Sequence, residues 1–272
     1  MEDANFNDDE TSRTENNDNI HRVCYEYDSL FYFCEERYYN MFNELTGCPE
    51  DTTYSIVRYE NDEYGNRVSM AYFNENDEPC DCALGYHKIE RTFNAYGYVL
   101  SERYYNSYGG RVKHSNGCWE GRVVYDKSFI TKFAVISGHD MHGNLMNTTS
   151  GWAFSTYKYD DLGNKIEIAN FDKDSIPIMS DDGIHKVIST FEGTNEVRKE
   201  YYDDENKLLT KNSVIVCEYD DYDYLTSKAY YNGDGSNGEC SEGWHRAKCL
   251  FDDKNRRIMS VLSQKCGIFA LF

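Results

Sequence analysis

Apolar and polar residues alternate directly after a short polar stretch in residues 159–172, YDDLGNKIEIANFD. Asp160, Gly163 and Asn164 predict a tight turn there, because Asp bonds its own backbone and Gly and Asn tolerate positive φ. Isoleucines then alternate with charged residues, which is typical of a half-buried β-strand. The stretch therefore predicts a turn followed by a strand.

The same frame recurs along the whole chain with a period of about 32 residues. Repetition at this period indicates an array of supersecondary units. We number each repeat from the acid or amide that opens its turn, position 0, which is Asp160 in the clearest copy. Position 0 is occupied by Asp28, Asp62, Asn94, Asp126, Asp160, Glu192, Asp220 and Asp252. Position +12 is assigned to Asn40, Asn74, Asn106, Gly138, Asp172, Asp203 (one residue early), Asn232 and Gln264.

This frame predicts an all-β fold, an elongated array or solenoid of antiparallel β-hairpins in which each unit is stabilised by its neighbours. Residues 1–18 are acidic and polar and are predicted to be a disordered tail. The β-hairpin repeat domain then covers residues 19–272. Its eight predicted units are 19–52, 53–84, 85–116, 117–150, 151–182, 183–210, 211–242 and 243–272.

Paired aromatic residues end the second strand of most repeats. Adjacent strand residues point to opposite faces of a sheet, so each pair supplies one ring to each face. One face receives position +10: Tyr38, Tyr72, Tyr104, Ile136, Tyr201, Tyr230 and Leu262. The other receives position +11, which we call the aromatic ladder: Tyr39, Phe73, Tyr105, Phe171, Tyr202 and Tyr231. The ladder is the candidate binding site, for a sugar or an extended chain, and packing in the core is the rival interpretation.

A histidine stands seven residues before position 0 in four repeats, and in two of them it lies within a Gly-aromatic-His-basic sequence: His21, His87, His185 and His245. Each repeat adds two strands about 4.8 Å apart, so the closest of these histidines are about 20 Å apart. Zinc ligands lie about 2 Å from the metal. The histidines are therefore predicted to be structural, and neither a metal nor a cofactor is expected.

Three other stretches have residue types that support chemistry. His114, Cys118, His139 and His142 suggest a zinc site or a Cys-His nucleophile pair, hence a hydrolase with its site in residues 114–142 as an alternative function. Residues 232–239 resemble a calcium loop but lack its required glycine and final glutamate. Cys80 and Cys82 form an isolated CxC pair. Each also fits an ordinary turn or connector, so no catalytic residue is predicted and the protein is not expected to be an enzyme.

The net charge of the chain limits the classes of partner that it is expected to bind. The formal net charge is −20, which argues against nucleic acid and anionic membrane surfaces. The sequence contains no apolar run long enough to predict membrane insertion. Its first residues lack the basic and apolar segments of a signal peptide. We therefore expect a cytoplasmic location, reduced cysteines, and an unidentified protein or glycan as partner.

The YDxxGN turn of residues 159–164, followed by its aromatic strand, resembles the RHS/YD repeats of bacterial proteins. The resemblance extends over about residues 19–264, although the period here is longer than in RHS repeats. It implies an antiparallel strand array and, as an alternative function, a fragment of an RHS-like toxin delivery or encapsulation protein. The principal prediction is a non-catalytic repeat scaffold for binding or display of a partner.

Overall fold

The computed structural model describes the backbone of residues 2–4, 20–251, 257–264 and 267–271, and the side chains of residues 20–249. Every regular element assigned within these ranges is a β-strand, and the paired strands run antiparallel. The predicted all-β array of antiparallel hairpins is therefore confirmed. None of the described segments forms a helix that is long and apolar enough to cross a membrane.

The chain divides into two compact units, and the first comprises Met1–Val124 and Ser137–Thr149. Its hairpins follow one another, and each strand pairs with the next, except that the last strand pairs with the strand two before it. The first strand pairs with the second, although residues 1–18 were predicted to be disordered; residues 5–19 lie outside the described part. The strands are β1 Glu2–Ala4, β2 Arg22–Tyr27, β3 Phe33–Tyr39, β4 Ile56–Asn61, β5 Arg67–Phe73, β6 Lys88–Phe93, β7 Val99–Tyr105, β8 Arg111–Val112 and β9 Glu120–Tyr125.

The second unit comprises Tyr125–Ile136 and Ser150–Phe272, so β9 and the next strand are each divided between the units. From β11 onward, consecutive strands again pair antiparallel. The strands are β10 Phe133–His139, β11 Phe154–Tyr159, β12 Lys165–Phe171, β13 Lys186–Glu192, β14 Asn195–Tyr202, β15 Val214–Tyr219, β16 Leu225–Tyr231, β17 Arg246–Phe251, β18 Arg257–Gln264 and β19 Gly267–Leu271.

A complete repeat contains three turns of one kind, at positions 0, +12 and +20. In the second repeat they begin at Asp62, Asn74 and Cys82, and each first N–H donates to the carbonyl four residues on, at 3.0, 2.9 and 2.8 Å. The fourth residue of each turn has positive φ, +82° at Gly65 and +83° at Gly85, which explains why glycine recurs there. Each unit is therefore a β-hairpin, closed by the turn at position 0, followed by a connector that contains the turns at positions +12 and +20.

The fourth repeat departs from the predicted spacing because its first turn holds two extra residues. The N–H of Asp126 donates to the carbonyl of Lys132, six residues on, at 2.7 Å. Position +12 is consequently Asp140, whose carboxylate accepts the N–H groups of His142 and Asn144, both at 2.8 Å. The assignment of Gly138 to position +12 was wrong by two residues.

The same insertion moves the aromatic positions of that repeat. The backbone carbonyl of His139 accepts a hydrogen bond from the N–H of Trp119 at 2.9 Å. The backbone carbonyl of Tyr105 accepts one from the N–H of His87 in the same way, at 2.8 Å. His139 therefore occupies the ladder position. Position +10 of the fourth repeat is Gly138, and its assignment to Ile136 was wrong.

The sixth repeat is short for a different reason. Its hairpin closes through two residues between Glu192 and Asn195, and the first of them, Gly193, has φ of +62°. A two-residue turn with glycine at its first position fits the twist of antiparallel strands. The repeat thus keeps its hairpin without a Gly-Asn pair.

The core of the first unit lies on the position +10 face of the sheet. Tyr72 and Tyr104 are 8% and 7% exposed there. They pack with connector residues that fold over this face and with residues of the neighbouring strands, and the buried cluster comprises Val57, Tyr72, Cys82, Tyr86, Ile89 and Tyr104.

Candidate functional site

The aromatic ladder lies at the strand ends, and all six of its side chains are half-buried. Basic side chains stack on several of its rings: a guanidinium lies 4.5 Å from the ring centre of Tyr39 and another 4.3 Å from that of Phe73. The ammonium of a lysine lies 5.0 Å from the ring centre of Tyr202. These cation–π contacts stabilise the rings and occupy part of their surface.

Three of the repeat histidines, His87, His185 and His245, pack against the ladder ring of the preceding repeat. The ring of His87 meets that of Phe73 edge-on at 5.2 Å, and its Nδ1 lies 2.7 Å from the carbonyl oxygen of Tyr72. Because a carbonyl oxygen only accepts, Nδ1 carries the proton and donates it. His185 repeats the arrangement, at 5.4 Å from Phe171. The histidines therefore join neighbouring repeats.

The aromatic residue before the histidine does the same on the opposite face. Tyr86 lies 6.0 Å from Tyr72 and 5.1 Å from Tyr104, centre to centre. Since successive strand residues point to opposite faces, Tyr86 and His87 together bind both aromatic rows of the preceding hairpin. The Gly-aromatic-His sequence is thus an inter-repeat packing motif.

The Cys118 thiol and the His139 imidazole, suggested as a pair within residues 114–142, each have other side-chain hydrogen-bond partners. The Cys118 thiol is 1% exposed and donates to Oδ1 of Asn116 at 2.9 Å, and burial raises its pKa. His139 contacts Ser137 Oγ at 2.9 Å and the Gly143 carbonyl at 3.1 Å. Burial lowers the pKa of His139. These contacts place thiol and imidazole in separate hydrogen-bond networks.

The remaining members of that stretch are also accounted for. His114 stacks on Tyr104 at 4.6 Å, and the side chain of His142 is exposed. Within residues 20–249, no three His, Cys, Asp or Glu side chains are arranged to hold a metal ion. The hydrolase and zinc hypotheses thus gain no site from the geometry.

The calcium-like loop and the cysteines take ordinary local roles. Asp234 accepts the N–H and the hydroxyl of Ser236 at 2.9 and 2.6 Å, which closes a turn. Burial raises the pKa of the Cys80 thiol to about 11. Every cysteine among the described side chains has a free thiol. Cys48 and Cys82 open the position +20 turns and are buried, as expected of small apolar residues.

A different set of large apolar side chains is strongly exposed. Position +2, at the tip of the first turn, carries a large apolar residue in five repeats, between 57% and 77% exposed. We call these residues the turn stripe: Leu30, Tyr64 and Tyr96 in the first unit, Leu162 and Tyr222 in the second. Sequence reasoning missed them because they stand at the variable positions of YDxxGN, although tabulating position +2 shows the recurrence.

In the first unit, the turns that carry the stripe touch one another. A Cβ atom at Gly97 would lie 2.9 Å from Oδ1 of Asn66, and one at Gly65 would lie 2.6 Å from the ring of Tyr32. The hydroxyl of Tyr32 donates to the carbonyl of Glu63 at 3.5 Å. The first three repeats therefore present Leu30, Tyr64 and Tyr96 along one continuous edge.

A groove of 610 Å³ lies between two members of the stripe, Tyr64 and Tyr96. The rings are 77% and 68% exposed. The other lining residues are Asp62, Asn66, Val68, Phe93, Asn94, Ala95 and Gly97. This is a concave site with aromatic walls on the surface of the first unit.

No family model matches the sequence, and no curated protein is similar to it. Several solved structures match over 90% of this chain and 13% of their own. They include a TcdB2–TccC3–TEV structure (12% identity, TM-score 0.35) and a Photorhabdus luminescens Tc holotoxin pore with mutated TccC3 (12%, 0.34). A third is a TcdB2–TccC3–Cdc42 structure (11%, 0.35). The chain thus spans a small part of the proteins it matches.

Proposed function

We propose that this chain is a non-catalytic repeat scaffold that binds a protein or glycan partner along one surface. The observation that carries the proposal is the first-unit part of the turn stripe, in which the stacked turns of three repeats each expose a large apolar side chain. Contiguous exposed apolar surface on a soluble protein marks interaction sites. A solvated turn has no packing need for tyrosine or leucine, so a partner is the physical reason we infer for them.

Aromatic side chains suit this role energetically. A tyrosine supplies a large, rigid contact area and loses little conformational entropy when it is covered. Tyrosine is also among the residues that dominate binding energy when desolvated at an interface centre. Tyr64 and Tyr96 are held by turns whose backbone is already fixed by hydrogen bonds to Asp62 and Asn94. Binding a partner therefore costs little additional backbone entropy at these turns.

The aromatic ladder remains the second surface for such a partner. Its rings are regularly spaced, but the stacked cations and histidines leave each ring half-buried. A partner at the ladder would meet ring edges and basic groups, whereas the turn stripe offers open ring faces. We therefore rank the turn stripe first.

A second candidate is a segment of an RHS-like delivery or encapsulation protein. It is supported by the YDxxGN turn of residues 159–164, in which the Asp160 carboxylate accepts the N–H groups of Leu162 and Asn164. Sequencing the flanking DNA tests it: an open reading frame continuing into further YD repeats supports this candidate, and stop codons close on both sides contradict it.

The scaffold proposal is tested on peptide and glycan arrays with the whole chain. The variant replaces Leu30, Tyr64 and Tyr96 together by Ser. The control is Tyr108→Ser, which removes a 93% exposed tyrosine from a position +12 turn of the same unit. We expect the triple variant to lose the signals of the parent and the control to keep them. Array binding that survives the triple substitution contradicts a role for the stripe.

A further inference from the structure

We propose that the groove between Tyr64 and Tyr96 binds a basic, proline-rich peptide segment in the polyproline II conformation. The inference rests on the proposed scaffold function and names the partner class for its best-formed site. Three features support it: the spacing of the rings, the lining of the groove, and the charge of the edge.

Spacing favours polyproline II over other peptide conformations. Equivalent residues of stacked repeats are separated by two strands, so the two tyrosines stand roughly 10 Å apart. A polyproline II helix returns to the same side every three residues, at about 3.1 Å per residue, or roughly 9 Å. A β-strand returns to the same side every two residues, or about 6.7 Å, and this repeat does not match the spacing of the two rings. Successive turns of a polyproline II helix therefore meet successive tyrosines.

The lining of the groove suits proline better than sugar. Val68 and Phe93 add apolar surface between the tyrosines, and aromatic-lined grooves are the usual receptors of proline-rich segments. The polar side chains that line the groove already form hydrogen bonds within their own turns. Asp62 accepts from the N–H of Tyr64 at 3.0 Å and from the N–H and side-chain amide of Asn66 at 2.9 and 2.8 Å.

The neighbouring amide is occupied in the same way. Oδ1 of Asn94 accepts the N–H groups of Tyr96 and Tyr98 at 2.9 and 3.0 Å. A sugar needs many hydrogen-bond partners for its hydroxyls, and few remain here. A proline-rich segment lacks most backbone donors, and the exposed tyrosine hydroxyls are placed to donate to its carbonyl groups.

Charge favours a basic segment. Asp62 lines the groove, and Glu63 of the same turn is exposed beside it. The nearby guanidinium of Arg67 is directed to the ring of Tyr59, 3.8 Å from its centre. With a chain net charge of −20, arginines between the prolines gain attraction that weakens as salt screens it. An acidic segment is repelled.

The test is fluorescence anisotropy of the whole chain with a labelled peptide of Pro-Pro-Arg triplets. Comparison peptides replace Pro-Pro by Gly-Ser or Arg by Glu. We expect the Pro-Pro-Arg peptide to bind, the Gly-Ser-Arg and Pro-Pro-Glu peptides to bind at least about ten-fold more weakly, and added salt to weaken binding. Tyr64→Ala with Tyr96→Ala should weaken it about ten-fold or more, while Tyr108→Ala leaves it unchanged.

The outcomes separate this inference from the scaffold function. Equal binding of the Pro-Pro-Arg and Gly-Ser-Arg peptides overturns the inference, because charge alone then explains the affinity. A neutral oligosaccharide that binds in place of the peptide, and is lost in the Tyr64→Ala, Tyr96→Ala variant, overturns the peptide class and preserves the scaffold. Peptide binding that the double variant retains overturns the assignment to this groove. Circular dichroism confirms that each variant is folded.

Discussion

The imidazole of His185 donates a hydrogen bond from Nδ1 to the carbonyl oxygen of Asn170, across 2.8 Å. His185 opens the sixth repeat, and Asn170 is the next-to-last residue of the second strand of the fifth. The histidine is 3% exposed, and its ring also meets Phe171 edge-on. One side chain therefore ties the backbone and the ladder ring of one repeat to the next.

Removing this side chain should weaken the array. We expect His185→Ala to lower the free energy of unfolding by about 2–4 kcal/mol, because the Asn170 carbonyl keeps only the N–H of Ile178 as a donor and a cavity opens beside Phe171. Urea denaturation measures the change. His142→Ala, at an exposed position, is the matched control and should cost under about 0.5 kcal/mol. Equal stability of the two variants would show that the histidine contact is incidental.

The glycine of the YDxxGN turn is required by its backbone conformation. Gly163 has φ of +82°, and an L-residue there costs about 1–2 kcal/mol. We expect Gly163→Ala to lower unfolding stability by about that amount and Gly163→Asn by less, since Asn tolerates this region. In Gly121→Ala, the added Cβ meets open space at ordinary φ, so stability should not fall. A neutral Gly163→Ala would refute the turn geometry.

Much of this architecture follows from the sequence because the turn residues and the strand alternation are local signals. Asp160, Gly163 and Asn164 fix a turn by their own hydrogen bonds and φ preferences, so the frame can be read without knowing the fold. The fourth repeat shows where this ends. Two residues inserted between Asp126 and Lys132 shift every later position of that repeat, and only strand pairing reveals that His139 replaces a ladder aromatic.

Glu120 predicts a pH dependence. Its side chain is 2% exposed and pairs with Arg122 at 2.8 Å and Arg103 at 3.2 Å. Burial would raise its pKa, but hydrogen bonds and charge from the two guanidinium groups lower it from 4.5 to about 2. Because the folded-state pKa lies below the unfolded one, this stabilisation is present above pH 4.5 and is lost as pH falls toward 2.

Glu120→Gln removes the charge. At pH 7 we expect it to lower unfolding stability by about 2 kcal/mol, with the deficit shrinking as pH falls from 4.5 toward 2. Urea denaturation at a series of pH values measures it. Glu205→Gln, at a 68% exposed side chain that also pairs with a lysine, should follow the parent at every pH. A deficit that stays constant down to pH 2 would rule out the ion pair as its cause.

The two faces of the sheet are distinguished by adjacent tyrosines. Tyr104 is 7% exposed and packs against Tyr86, so Tyr104→Ala should cost about 3–5 kcal/mol. Tyr105, in the ladder, is half-buried, and Tyr105→Ala should cost less, about 1–2 kcal/mol. Denaturant unfolding of both variants checks this order. A loss at Tyr105 as large as at Tyr104 would mean that the ladder is core, and it would remove the ladder as a binding surface.

The candidate site shows the limit of sequence reasoning more sharply than the fold does. The ladder was found because aromatic pairs stand out, yet cations and histidines from other strands cover its rings. The turn stripe was missed because a single apolar residue in a polar turn looks unremarkable. What makes Tyr64 and Tyr96 a site is the contact between their turns, through Asn66 and Gly97, and that contact depends on how repeats stack.

A surface made by neighbouring turns exists only if the repeats hold one another in place. The most direct measurement is far-ultraviolet circular dichroism, with thermal scans, of a peptide spanning residues 151–182 beside the whole chain. We expect the peptide to be unfolded at all temperatures, because its histidine, aromatic and strand partners belong to adjacent repeats, while the whole chain shows a β spectrum. A cooperative thermal transition from the peptide alone would show that a single repeat is stable without its neighbours, contrary to this expectation.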